Sequence, residues 1–199
     1  MRAVDSPVVL GLREQVVEIV RQRGLTRLPQ PVLLASGALS REFVDGKAAL
    51  ARGEDLELAC RALLELEGLR ELDFDAVGGL TMGADQFAHV VAVLARREWF
   101  VVRKEPKHRG TNKLVEGAEI ASGTRVLLVD DVLTTGGSIQ KAYCAVEELG
   151  ATVVAAATLV DRGEVARSFF DERAIPYFPL VSYRDLDIEP VAARELADA

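Results

Sequence analysis

Two adjacent carboxylates, Asp130 and Asp131, follow the apolar run Val126-Leu127-Leu128-Val129, and Thr134, Thr135, Gly136, Gly137 and Ser138 come soon after. An unbroken apolar run of this kind suits a parallel strand covered by helices on both faces. The carboxylates then fall at the carboxyl end of that strand, where open α/β sheets place their ligands. The hydroxyl and glycine residues lead into an apolar-periodic stretch, Ile139, Ala142, Tyr143, Val146 and Leu149, so they form a loop at a helix N-terminus. Exposed N–H groups in such a loop attract an anion. Two carboxylates would repel a bare phosphate beside them. Hydrogen bonds to ribose hydroxyls, and outer-sphere contact with a Mg²⁺ ion, explain the pair better, which implies a ribose next to its 5′-phosphate. An Asp-Asp pair alone is equally a turn cap; the conjunction with a buried strand, hydroxyls and glycines carries the reading. The chain has no G-x-x-x-x-G-K-[ST] and no G-x-G-x-x-G after a strand, so neither a triphosphate P-loop nor a dinucleotide fingerprint is supported.

A second set of residues carries the opposite charge. Arg103, Lys104, Lys107, Arg109 and Lys113 all lie between positions 103 and 113, opposed only by Glu105, in a chain whose formal net charge is −7. That balance argues against general nucleic-acid binding and gives local basic clusters more meaning. The segment contains or precedes Gly110, Gly117 and Gly123, lacks hydrophobic periodicity and is long for a connection in a compact domain. It reads as a lid over an anion.

The stretch around Asp130 and Asp131 resembles the 5-phosphoribosyl 1-diphosphate (PRPP) motif of class I phosphoribosyltransferases. The resemblance implies that Asp130 and Asp131 hold the ribose hydroxyls while Thr134, Thr135, Gly136, Gly137 and Ser138 wrap the 5′-phosphate. Arg103 to Lys107, with the later Glu116-Gly117, resembles the flexible catalytic loop of orotate phosphoribosyltransferases, R-K-x-x-K-x-H-G followed by E-G. By that resemblance Arg103 and Lys107 clamp the departing pyrophosphate in the neighbouring subunit of a homodimer with shared sites, and Lys104 serves its own. Arg109 stands where the family has histidine, and His108 lies one place earlier; arginine still binds phosphate bidentately.

Three further segments extend the likeness. Ser36-Gly37, Ser40 and Phe43-Val44-Asp45-Gly46-Lys47 resemble the start of the family's base-binding hood, which implies Ser36 and Phe43 beside the base; Ala38 takes the place of a common basic residue. Ala76 to Asp85 turns through Gly78, Gly79 and Gly83 into a helix, and its N–H groups suit a diphosphate. Met82 replaces a lysine found in many relatives, leaving Thr81 and the backbone to that task. Asp161-Arg162 ends an apolar strand, and the resemblance assigns Arg162 to the orotate carboxylate. The activity implied is Mg²⁺-dependent transfer of the phosphoribosyl group of PRPP to orotate. A different acceptor base and a PRPP-binding regulator without catalysis are the alternatives.

These residues need a scaffold that brings them together. Strands near 32–35, 74–78, 99–102, 125–130, 152–160 and 177–181 alternate with helices near 8–22, 54–69, 83–96, 137–149 and 163–173. Alternation of this sort predicts an α/β fold, a parallel sheet flanked by helices on both faces; the resemblance adds a small hood, mainly from residues 1–50 with C-terminal contributions. At 199 residues and 49% hydrophobic content the chain suits a single domain spanning 1–199. Neither a signal peptide nor an apolar segment of membrane-spanning length is apparent, so a cytoplasmic protein without membrane or nucleic-acid partners is expected. Cys60 and Cys144 lack metal-site spacing and read as reduced structural thiols. His89, among apolar residues of its helix, reads as a packing residue.

Overall fold

The computed structural model describes residues 10–34, 37–106 and 113–191. Its centre is a six-stranded sheet in the order β5-β4-β3-β6-β7-β8. The strands are β3 (Ala76–Leu80), β4 (Glu98–Val102), β5 (Val115–Gly117), β6 (Arg125–Leu133), β7 (Thr152–Asp161) and β8 (Tyr177–Ser182). All neighbours are parallel except β4 and β5, which pair antiparallel at the sheet edge. Three residues made β5 too short to read from the sequence.

Side chains on β6 show why this sheet is buried on both faces. Leu127 and Val129 join one core with α3 (Gly53–Leu64), α4 (Asp85–Ala95) and α1 (Leu12–Ile19). Val126 and Leu128 join the other, with α5 (Gly137–Glu148) and α6 (Val165–Asp171). Alternation along a strand sends successive side chains to opposite faces, so a continuous apolar run fills two cores. The helix after β3 covers one face and the helix after β6 covers the other. β3 and β6 are neighbours whose connections depart in opposite directions, which makes their carboxyl ends the topological switch point of the sheet. Their pairing stops at Gly78 and Leu128, and a crevice opens beyond.

The strand expected near 32–35 belongs elsewhere. Leu25–Leu33 (β1) pairs antiparallel with Leu39–Val44 (β2) in a separate two-stranded hairpin, the hood. The sequence masked β1 because Pro29 and Pro31 interrupt it. They sit where the register slips between Arg27 and Val32, an irregularity that removes the need for their missing N–H groups. A single turn, α2 (Gly46–Ala49), follows the hairpin. The helix expected over 54–69 ends at Leu64; the chain then turns through Gly68 at φ +85° into a 3₁₀ turn at Leu69–Glu71. Cys60 is buried, which pushes its thiol up to about 12, whereas Cys144 is exposed. His89 lies at the surface, its ring edge-on to Trp99 with centroids 4.5 Å apart.

Candidate active site

The acid pair occupies the switch point. Asp130 and Asp131 are 3% and 7% exposed, and β6 continues past them to Leu133, so sheet hydrogen bonds fix their backbone. Thr158 on β7 donates its hydroxyl to the Asp130 carbonyl at 3.1 Å. The side chains are fixed as well. The Asp131 N–H donates to Asp130 Oδ1 at 3.0 Å, the Val132 N–H to Asp131 Oδ1 at 2.8 Å, and Lys47 Nζ to Asp131 Oδ2 at 2.8 Å. Burial, reinforced by the charge of Asp131, pushes the Asp130 carboxyl up to about 8. Asp131 is the member of the pair that holds the Lys47 ammonium.

From across the crevice the turn after β3 leans onto these carboxylates. A Cβ at Gly83 would lie 2.4 Å from Asp130 Oδ1 and 2.7 Å from Asp131 Oδ1, so only glycine lets the backbone approach. The same turn holds a cis peptide between Thr81 and Met82. Thr81 Oγ1 donates to Asp85 Oδ2 at 2.8 Å at the start of α4, while Met82 points outward, 68% exposed. This turn thus presents backbone rather than a side-chain cation.

Beyond Leu133 the chain runs through a short loop into α5. Gly136 caps α5 at φ +74°, a left-handed conformation that favours glycine, and it contributes no side-chain cap. First-turn N–H groups of a twelve-residue helix are left facing outward. A cavity of about 320 Å³ lies over residues 134–138, walled also by Leu80, Lys104 and Lys141. The structure therefore brings Lys104 to residues 134–138 of its own chain. Lys141 was missed in the sequence; its signal is a cation three residues after Ser138, on the same face of α5.

The remaining predicted residues divide. Arg103 lies at the root of the basic loop, where NH1 pairs with Glu116 Oε1 at 3.3 Å and Nε donates to the Glu105 carbonyl at 3.3 Å. Lys107, Arg109 and Ser36 lie outside the described residues. Arg162 is 1% exposed, its charge opposed by burial. Its NH1 donates to the Glu42 carbonyl at 2.9 Å and NH2 reaches Ser40 Oγ at 3.5 Å, while Nε has no protein partner. The turn that presents it is tied down on both sides. Gly163 N–H donates to Asp161 Oδ1 at 3.1 Å, and Val191 N–H donates to the Arg162 carbonyl at 2.6 Å. Phe43 shares the outward side of β2 with Leu39 and Arg41, and is 43% exposed. Side chains alternate along a strand, so the structure does not bring Phe43 to Arg162, which meets Ser40.

A parallel sheet with a switch-point acid pair followed by a phosphate cradle defines a phosphoribosyltransferase, and residues 49–168 match the family described as phosphoribosyl transferase domain. The chain is 37% identical over 180 residues to an orotate phosphoribosyltransferase of Aquifex aeolicus, covering 87% of this chain and 97% of that protein. It is 47% identical over 152 residues to the Streptomyces avermitilis orotate phosphoribosyltransferase, covering 73% and 82%. The crystal structure of Mycobacterium tuberculosis orotate phosphoribosyltransferase in complex with PRPP superposes with a TM-score of 0.72 at 33% identity, covering 89% of this chain and all of that one. The chain belongs to the orotate phosphoribosyltransferase family.

Proposed function

We propose that this chain transfers the phosphoribosyl group of PRPP to N1 of orotate, giving orotidine 5′-monophosphate and pyrophosphate. The observation that carries the reading is the convergence at one switch point of a buried acid pair, a glycine-backed turn and a phosphate cradle holding a lysine. Asp130 and Asp131 accept hydrogen bonds from the ribose hydroxyls. Residues 134–138 receive the 5′-phosphate on the N-terminus of α5, with Lys104 and Lys141 beside it. The turn at Thr81 takes the diphosphate on its backbone. Among the described residues no three His, Cys, Asp or Glu side chains gather as a direct metal site. That donor set, two carboxylates side by side, would suit a Mg²⁺ ion carried by the diphosphate, with Asp130 and Asp131 as the residues that would hold it. When bound, the ion supplies charge neutralisation for the leaving group.

Departure of diphosphate leaves positive charge on the ribose ring and negative charge on the leaving oxygens. The protein's task is positioning and charge stabilisation, with no nucleophile required. As the family resemblance implies, Arg103 and Lys107 neutralise the leaving group, and exclusion of water from the site protects PRPP from hydrolysis. Arg162 receives the orotate carboxylate, as the family resemblance implies; its Nε is buried without a protein partner. We read the working form as a homodimer in the cytoplasm. Large apolar side chains stand exposed at Met82, Val93 and Trp99, 68%, 76% and 43% respectively, and burial of such side chains favours association with a second copy. Among the described residues no helix is long and apolar enough to cross a membrane.

The test is a spectrophotometric assay with PRPP and Mg²⁺ in which orotate, uracil, adenine and hypoxanthine are offered separately. Turnover of orotate alone is expected. Turnover of another base would reassign Arg162, and PRPP binding without turnover of any base would mark a regulator.

A further inference from the structure

Lys47 was visible in the hood motif, yet the reaction as described gives it no part. It stands on α2, and three sequence features place it. Asp45 caps this turn, its Oδ1 accepting the N–H groups of Lys47 at 3.0 Å and Ala48 at 3.1 Å. Gly46 permits contact with β6, since a Cβ there would lie 3.0 Å from Asp131 Cβ and 3.2 Å from Val132 Cγ2. The next residue then delivers its ammonium to Asp131 Oδ2 at 2.8 Å. Cap, close approach and cation occupy three consecutive positions.

The pair is asymmetric. The Asp131 side chain is 10% exposed and that of Lys47 is 54% exposed, so the lysine reaches a buried carboxylate from the solvent side of the cleft. An exposed ion pair contributes little, but a buried carboxylate that loses its partner is left uncompensated. Val132 N–H on Oδ1 and Lys47 on Oδ2 together fix the plane of the Asp131 carboxylate. Each oxygen keeps a lone pair for a hydroxyl donor.

We propose that Lys47 is a positioning residue for PRPP, orienting the Asp131 carboxylate toward the ribose hydroxyls and linking the hood to the ribose site. The proposal rests on the reading of the acid pair as that site. A second tie runs the other way, from Arg162 in the core to Ser40 and Glu42 in the hood. Lys47 thereby joins the hood's position to the geometry of the ribose half.

The test is calorimetric titration of PRPP with Mg²⁺ into the parent, Lys47→Met, Lys47→Arg, Asp131→Asn and the Lys47→Met/Asp131→Asn double variant. Lys47→Met is expected to weaken binding about tenfold, the scale of one hydrogen bond to a charged group, with Lys47→Arg within about threefold of the parent. In the Asp131→Asn background the Lys47→Met effect shrinks below about twofold, because the lysine acts through that carboxylate. Undiminished loss in that background, full affinity in Lys47→Met, or Lys47→Arg as weak as Lys47→Met would each overturn the proposal. Asp131→Asn binding like the parent would overturn the ribose reading and this proposal together, whereas loss in Asp131→Asn with Lys47→Met intact overturns the proposal alone. If Asp131→Asn binds too weakly to titrate, steady-state kinetics decide. A rise in KM for PRPP with KM for orotate unchanged supports the role, and an equal rise in both contradicts it.

Discussion

The two halves of the cleft are built on different plans. The half proposed for the ribose phosphate comes from one continuous strand-loop-helix unit: β6, residues 134–138 and α5, with its carboxylates held by their own backbone neighbours. The half proposed for the base is assembled from distant parts of the chain. Arg162 from the end of β7 is joined to β2 through Glu42 and Ser40, and the Val191 N–H closes on its carbonyl. A local unit can be reused as a block, while an assembled one ties binding to the stability of the hood. Lesions in the first half should cost PRPP binding and leave the fold intact; lesions in the second should cost orotate binding and stability while PRPP binding stays near that of the parent.

The largest effect is expected at Asp131. Asp131→Ala removes a ribose acceptor and leaves Lys47 without its buried partner. Its kcat/KM for PRPP should fall about 100-fold or more, two charge-assisted hydrogen bonds being lost. Steady-state kinetics with PRPP varied check this, and a fall under about threefold would break the assignment. Arg162→Met comes next. It should raise KM for orotate about tenfold or more and also lower the unfolding midpoint, because two hood contacts of a buried guanidinium vanish. A rise in KM without any loss of stability would separate the two roles assigned here.

Asp130 gives the comparison a pH signature. Its carboxyl is raised to about 8 in the folded protein, so the folded state holds a proton that the unfolded chain releases near pH 4. The burial penalty is absent below pH 4, grows as pH rises toward 8 and is complete above it. Stability of the ligand-free protein should therefore decline across that window, by at most about 1.4 kcal/mol per pH unit from this group. Denaturant unfolding at several pH values measures the slope, and Asp130→Asn should flatten it. The smallest effect belongs to Lys141→Ala, a two- to fivefold rise in KM for PRPP that fades with added salt, as roughly expected of a solvent-facing cation.

The same contrast governs what could be read from the sequence. The β6 unit was legible because its strand, carboxylates and glycines are contiguous, and the buried run Val126 to Val129 has no other satisfactory environment. The parallel sheet followed from alternating elements. The hood hairpin was half hidden, since Pro29 and Pro31 break the strand pattern that its irregular register tolerates. The pairing of Lys47 with Asp131 spans 84 positions and has no local signature; the sequence shows only that a lysine follows Asp45-Gly46. Phe43 is a converse case. Motif position placed it beside the base, but side-chain alternation along β2 directs it to the face away from Ser40 and Arg162.

The division of labour is tested most directly by titrating PRPP with Mg²⁺, in the absence of orotate, into Arg162→Met and Asp131→Ala side by side. The account predicts that Arg162→Met binds PRPP within about threefold of the parent, because its contacts lie on the base side, while Asp131→Ala loses about 100-fold. Equal loss in both variants would contradict it and show that the cleft works as one inseparable unit.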